Sequence, residues 1–285
     1  MSKAPAIEVS YHMGVHTAVY NYYTTQADAD FPPPSPLAPG KAISDRGQQL
    51  HGTNLYEQLD RYYARIARAI LIGAPHDNSN LIHYLLPCFR RYSAGAQSVN
   101  RLLNYVNRHY VKRAVDQDKG WLRVVDVSDL VVQSLQDNDA WDVIQKRMKE
   151  NRVEELKKWS WYEGAPSEVL ERAEACAEVA SSLDRIVPLL SMALRRFRTE
   201  VIIPLLAVPP HEKGSRKKKK PSVNGDKTAP KGQLARAVKD LLEGVSYDSD
   251  EREKIAGELA VMLRTVGIRA DQPLRKKLDK YMPDM

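Results

Sequence analysis

The stretch that decides the fold is "LYEQLDRYYARIARAILIG", Leu55 to Gly73. Its apolar residues recur at steps of three and four, which is the spacing of one face of an α-helix. Those apolar residues are Leu55, Leu59, Tyr62, Tyr63, Ile66, Ala69 and Ile70. Arg61, Arg65 and Arg68 fall between them and are expected to face water. The pattern therefore predicts an amphipathic helix that ends at Gly73.

The same helical period continues through most of the chain. It recurs over residues 80–97, 98–115, 139–159, 167–206, 233–245 and 249–267. Pro188 lies inside the fourth of these stretches and should kink or break it, because proline lacks the N–H that a helix interior needs. The stretch 122–133 is the only piece that could suggest a strand, which is too little for a sheet. The sequence therefore predicts an all-α fold.

Two segments lack the helical period. Residues 31–52, "FPPPSPLAPGKAISDRGQQLHG", are rich in Pro, Gly and Ser and predict a long flexible loop. Residues 211–232 carry eight Lys or Arg against two acidic residues, and so hold most of the chain's net charge of +7. This basic segment has too little apolar surface to order itself. Since the rest of the chain is nearly neutral, composition predicts no basic face on the folded part.

Cysteine usage and hydropathy exclude several classes of protein. Cys88 and Cys176 are far apart and neither belongs to a CxxC motif, which argues against a disulfide scaffold, a structural zinc site and a redox site. No run of eighteen apolar residues occurs, so no membrane span is predicted. The expectation is a protein of the cytoplasm, the nucleus or both.

A tyrosine-rich stretch near the N-terminus, "YHMGVHTAVYNYYTT" (Tyr11 to Thr25), divides into two helical stripes. Val15, Val19 and Tyr22 form one stripe, which is typical of core packing. The other stripe mixes histidine, methionine and tyrosine, residue types that are too polar for a dry core and are favoured at protein contacts. Its members are His12, Met13, His16 and Tyr20. This second stripe is the candidate binding surface.

Other interpretations of these aromatic and basic residues stay open. His12 and His16 have the spacing of a zinc-protease helix, but Met13 stands where such enzymes need a glutamate base, and no obvious third ligand follows. The two histidines also fit a solvent-facing pair without a role. The stretch "NYVNRHYVKR", Asn104 to Arg113, interleaves aromatic and basic residues, which suits RNA contacts or the exposed side of an ordinary helix.

The remaining motifs concern localisation and catalysis. A basic tract is a candidate nuclear-import patch or a charged tail on a linker. The tract consists of Arg216, Lys217, Lys218, Lys219 and Lys220. Enzymatic chemistry has no candidate residues, because no Gly-rich phosphate loop, nucleophile elbow or pair of catalytic carboxylates can be picked out. We therefore expect a non-catalytic chain with no cofactor and no metal.

Three stretches together resemble the first repeat of the N-terminal region of cullins, the scaffolds of multisubunit ubiquitin ligases. They are residues 15–25, 55–63 and 98–120, and their most specific pieces are VYNYYT at 19–24 and LNYVNRHYVKR at 103–113. These pieces are most similar to the cullins that serve F-box proteins. A fourth stretch, 185–205, is similar to the cullin helix that normally follows the DxxKG turn, with Phe197-Arg198 where the family has Trp-Arg.

The resemblance implies a cullin-repeat-like helical bundle with long disordered loops. In cullins the helix that resembles residues 185–205 follows the DxxKG turn almost directly. In this sequence many residues stand between the two, so the resemblance implies an insertion before Arg185. The implied divisions are an adaptor-contact helix in 1–30, a flexible Pro-rich loop in 31–52, cullin-repeat helices in 53–121, a helical insertion in 122–183, a further repeat helix in 184–210, a basic disordered linker in 211–232 and a closing helix pair in 233–285.

In cullins the tyrosine-rich helix and one side of the NRHWV-type helix bind the adaptor. The resemblance therefore implies a Skp-type adaptor that carries an F-box protein, or a BTB adaptor, bound by His12, Met13, His16, Tyr20 and Tyr105. The two histidines stand where F-box-type cullins commonly have tyrosine, which bears on adaptor choice and affinity. The sequence stops before the family's C-terminal domain, so we expect no RING subunit and a competitor of full-length cullins. The alternative function is a nuclear, nucleic-acid-associated helical protein that uses the basic linker.

Overall fold

The computed structural model describes residues 8–29, 53–126, 141–208, 232–244 and 248–282. These residues form helices and contain no strand, which confirms the all-α prediction. The helices are α1 (Val9–Ala29), α2 (Thr53–Ile72), α3 (Asn78–Leu102), α4 (Asn104–Val106), α5 (Lys112–Asp116), α6 (Trp141–Lys157), α7 (Ser167–Ala180), α8 (Leu189–Phe197), α9 (Ile203–Leu206), α10 (Gln233–Glu243), α11 (Ser249–Thr265) and α12 (Pro273–Leu278).

Two helices continue through wider, π-helical turns. One turn, Asn107–Val111, joins α4 to α5, and the other, Arg198–Ile202, joins α8 to α9. A 3-10 turn, Asp279–Tyr281, follows α12. The predicted Pro-rich loop 31–52 and almost all of the predicted basic linker 211–232 lie outside the described residues.

Local sequence explains where several helices begin. The Asp77 carboxylate accepts a hydrogen bond from the Ser79 N–H at 3.3 Å and caps α3, which is the usual role of Asp at a helix N-terminus. The Gln272 side chain accepts from the N–H groups of Leu274 and Arg275 and caps α12. Pro188 precedes α8, so the helical stretch 167–206 is broken at the position that the sequence predicts.

Helix α8 lies at the centre of the core. Leu189, Met192, Ala193 and Phe197 are completely buried there. The helix packs against α2, α3 and α7. The Phe197 ring contacts an aromatic ring of α3, that of Phe89, with the two centroids 5.2 Å apart. Because α8 is covered on all sides, the other helices are arranged around it.

The buried side of α2 differs from the predicted stripe. Tyr56, Tyr63, Ala64 and Ala67 are buried, whereas Tyr62 is 44% exposed. Ala69, which the stripe also included, is exposed. The predicted stripe did not contain Tyr56, whose hydroxyl is hydrogen-bonded inside the protein to the distant Val187. The small side chains of Ala64 and Ala67 let neighbouring helices approach this side closely.

Helices α6 and α7 build a second, smaller cluster of buried side chains. Leu156 and Trp159 pack there against Ala173, Cys176 and Ala177. Trp121 contacts both this cluster and the main core. The two helices fall within the predicted insertion 122–183, and the assignment of that segment as an insertion stays a prediction.

Truncation at the centre of α8 should test the assignment of the core. We expect Phe197→Ala to lower the free energy of unfolding by about 3–5 kcal/mol, because it leaves a cavity in a closed core. Tyr62→Ala, a matched aromatic truncation at an exposed site, should change it by less than about 1 kcal/mol. Urea denaturation followed by circular dichroism measures both values. Equal losses in the two variants would contradict the central position of α8.

A half-buried carboxyl group, that of Glu178, connects α7 to α8. The Ser191 hydroxyl donates to Glu178 Oε2 at 2.6 Å. Burial raises the pKa of Glu178 from 4.5 to about 7, despite the opposing effect of that hydrogen bond. The folded protein therefore holds a proton on Glu178 in a range of pH where the unfolded chain has released it. Stability from this group is present at pH 4.5 and below and is lost as the pH rises to 7.

Because Glu178 loses its proton in this range, the free energy of unfolding should depend on pH. The substitution Glu178→Gln should remove this dependence. Between pH 5 and pH 7.5 we expect the free energy of unfolding of the wild type to fall relative to the variant, by at most about 3 kcal/mol. Glu171→Gln changes an exposed carboxylate of the same helix and should leave the wild-type profile unchanged. Parallel profiles for the wild type and Glu178→Gln would show that Glu178 does not titrate in this range.

Candidate functional site

Helix α1 lies against α3 and α4 along one narrow stripe. Val19 and Tyr23 are buried in this contact, and Val15 and Tyr22 are half-buried. The stripe contains the three residues that the sequence assigned to core packing. The side of α1 that borders this stripe is open to water.

The open side of α1 carries the four residues predicted to bind a partner. His12, His16 and Tyr20 are exposed, and Met13 is 60% exposed. The fifth predicted residue, Tyr105 of α4, lies beside them. Its ring centroid is 6.0 Å from that of His16 and 5.8 Å from that of Tyr20, with edge-to-face geometry in both pairs. We call the surface formed by His12, Met13, His16, Tyr20 and Tyr105 the ring face.

Tyr105 is the residue that joins the two helices of the ring face. It is half-buried, and its ring stacks on that of His109 with the centroids 3.9 Å apart. The buried Tyr23 contacts it from the side of the core, at 5.4 Å between centroids. Sequence reasoning missed both of these neighbours, although His109 follows Tyr105 by four residues and so shares its side of the helix.

A hydrogen-bonded asparagine fixes the position of α4 relative to the core. Asn107 begins the π-helical turn two residues after Tyr105. Its Nδ2 donates to Asn100 Oδ1 at 2.8 Å, and its Oδ1 accepts from the backbone N–H of Leu189 at 3.0 Å. The segment that carries Tyr105 is therefore anchored both to α3 and to the start of α8. Irregular turns of this kind are frequent at functional sites.

The N-terminal end of α1 extends beyond the described helices that support the rest of it. Residues 9–14 are all exposed, and Val9 and Tyr11 are 79% and 63% exposed. Val9 precedes Met13, His16 and Tyr20 by four, seven and eleven residues, which places all four on one side of the helix. Val9 therefore extends the ring face by a further turn. The sequence analysis did not include it.

The chemistry of the ring face suits binding. Burial raises the pKa of Tyr23 above its ordinary value of 10.0, so this phenol stays neutral beneath the exposed rings. Residues 9–23 of α1 include no carboxylate.

Throughout the described residues, no group of three or more His, Cys, Asp or Glu is placed to hold a metal ion. His12 and His16 therefore lack a third ligand within that part of the chain.

The other predicted sites fall in different places. The basic tract Arg216 to Lys220 lies outside the described residues. Within the stretch 104–113, Tyr110 is buried against Tyr56 and only part of the aromatic and basic side chains reaches the surface. None of the described helices combines the length and the apolar character needed to cross a membrane.

The narrow attachment of α1 should be sensitive to Tyr23. We expect Tyr23→Ala to release residues 9–23 of α1 from the body, because it removes one of the two side chains that are buried within this range and also the ring beneath Tyr105. Hydrogen exchange of peptides covering 9–23 should become at least tenfold faster, while peptides of α8 keep their protection. Tyr11→Ala, an exposed tyrosine of the same helix, is the control. Unchanged exchange over 9–23 in Tyr23→Ala would contradict this mode of attachment.

Comparison with known proteins leaves the family open. The chain matches no protein-family model, no curated protein and no solved structure. The resemblance to cullins therefore stays a prediction from the sequence, and the function is argued from the ring face.

Proposed function

We propose that the chain is a non-catalytic, cullin-like scaffold module that binds a Skp-type adaptor carrying an F-box protein, or a BTB adaptor. The observation that carries the proposal is the ring face itself: five residues on α1 and α4 lie side by side and remain accessible to water. The adaptor covers this surface in the manner that the resemblance to cullins implies.

The composition of the ring face supports a protein partner. Tyrosine and methionine are enriched at protein interfaces, because each offers a large apolar area. Tyr20 and Tyr105 contact each other through their rings, with 5.8 Å between the centroids, and Met13 lies about two turns of α1 towards the N-terminus. Tyrosine is among the residue types that typically dominate the binding free energy. An interface of standard size would bury roughly 800 Å² on each partner.

The exposed end of α1 supports the same proposal. A helix that presents apolar residues at positions i, i+4, i+7 and i+11 can lie in an apolar groove of a partner. Val9, Met13, His16 and Tyr20 follow this spacing. In this proposal the adaptor provides the apolar groove into which this side of α1 packs.

Binding through this surface has a direct regulatory consequence. A complete cullin uses the corresponding helices for the same adaptor. The two proteins would therefore exclude each other from one adaptor molecule, and the chain would compete with full-length cullins. Its effect on ubiquitin-dependent degradation would follow from how much adaptor it occupies.

Truncation of the two tyrosines of the ring face tests the proposal. We expect Tyr20→Ala combined with Tyr105→Ala to weaken binding of the cell's own Skp-type adaptor at least thirtyfold, because loss of an aromatic anchor at an interface typically costs about 2 kcal/mol or more. Isothermal titration calorimetry with purified adaptor measures the change in Kd.

The matched control removes two tyrosine rings from other surfaces. Tyr62 and Tyr162 are exposed in α2 and in the segment between α6 and α7. We expect Tyr62→Ala combined with Tyr162→Ala to bind like the wild type. Circular dichroism of both double variants checks that folding is intact. Equal Kd values for the wild type and the ring-face variant would rule out this surface as the binding site.

A further inference from the structure

Two cations lie next to the ring face on its α4–α5 side. Arg108 and Lys112 follow Tyr105 by three and seven residues and are exposed. Val106 and Tyr110 are buried on the opposite side of the same segment. The guanidinium and ammonium groups are thus on the exposed side of the segment that carries Tyr105 and His109.

Neither cation is neutralised by the part of the chain that the structure describes. Some exposed arginines elsewhere pair with carboxylates: Arg68 with Glu200 at 2.8 Å, and Arg61 with Glu57 at 3.1 Å. Arg108 and Lys112 make no ion pair within the described ranges. This local charge is not visible in the composition, because the folded part as a whole is nearly neutral.

Few acidic groups lie near the ring face. Residues 9–23 of α1 contribute none. Glu8, before α1, accepts a hydrogen bond from the Ser10 hydroxyl. Asp116, one turn beyond Lys112 at the end of α5, is exposed and forms no ion pair with it in the described structure. The ring face and its flank therefore have a net positive charge at neutral pH.

We infer that the partner which covers the ring face places carboxylates opposite Arg108 and Lys112. This inference rests on the proposed function and specifies the chemistry of the partner's surface: an apolar groove for α1 with an acidic flank beside it. Paired charges of this kind steer association and select partners. Without them, covering Arg108 and Lys112 would remove two charges from water with no compensation.

The surroundings of Tyr105 favour a protein over a nucleic acid as the source of negative charge. His109 stacks on the Tyr105 ring, and His16, Tyr20 and Tyr23 surround it. The ring is therefore occupied by its own neighbours, whereas single-stranded nucleic acids need free aromatic faces for base stacking. The apolar Val9 and Met13 also suit a protein surface.

Charge reversal at the two cations tests the inference. The probe is the purified Skp-type adaptor with its F-box protein. We expect Arg108→Glu combined with Lys112→Glu to slow association at least tenfold, and we expect the wild type to lose a comparable factor between 50 and 500 mM NaCl. Lys276→Glu combined with Lys277→Glu makes the same change in net charge on α12, where both side chains are exposed, and should leave the rate within twofold. Stopped-flow or biolayer interferometry measures these rates.

The outcomes separate this inference from the proposed function. Adaptor binding that requires Tyr20 and Tyr105 but ignores charge reversal and salt would overturn the acidic flank and keep the proposed function. Equal slowing in both charge-reversal variants would also overturn it, because only the net charge would then matter. Wild-type protein that does not bind the adaptor overturns both proposals. Salt-dependent binding of single-stranded RNA that is lost in Arg108→Glu combined with Lys112→Glu would assign the cations to nucleic acid instead.

Discussion

The fold depends on a buried arginine that holds the segment before α8 in place. Arg195 is only 1% exposed, and its Nη1 donates to the backbone carbonyls of Ser182 and Arg185 at 2.7 and 2.9 Å. The Tyr56 hydroxyl donates to Val187 O at 2.8 Å and accepts from Val187 N at 3.0 Å. Pro188 leaves the carbonyl groups at this break without helical partners, and these two side chains satisfy several of them inside the core. Burial of the Arg195 Nη1 group and of the Tyr56 hydroxyl is offset by these hydrogen bonds.

This anchoring connects the core to the ring face. The segment that Arg195 and Tyr56 hold leads into Leu189, whose N–H donates to Asn107. Asn107 in turn lies in the π-helical turn after Tyr105. The position of Tyr105, on which the rings of α1 rest, is therefore determined by hydrogen bonds within the core. Over residues 9–23, where the side chains of α1 are described, only Val19 and Tyr23 are buried, so the binding surface combines a rigid half with a more weakly attached half.

Sequence periodicity predicted the helices and the two sides of α1, because these are properties of residues close together in the chain. It assigned Tyr62 to the core and missed Tyr56, since the partner of the Tyr56 hydroxyl lies 131 residues away. Helical spacing and residue types also predicted the exposed stripe of α1, whereas Tyr105 was added by the resemblance to a family, and the contacts of Tyr105 with Tyr23 and His109 required the tertiary structure. Composition could not reveal the cationic flank, because charges that cancel over the whole chain can still be separated locally.

The π-helical turn between α4 and α5 has a consequence for how this surface can change. Such a turn contains one residue more than an α-helical turn. The wide turn absorbs that residue, so deleting one residue there would shorten the segment by roughly 1.5 Å without turning Lys112 relative to Tyr105. Tyr110 and Val111 of this turn are buried. A one-codon deletion would therefore disturb the packing beneath the surface and leave the directions of its side chains unchanged.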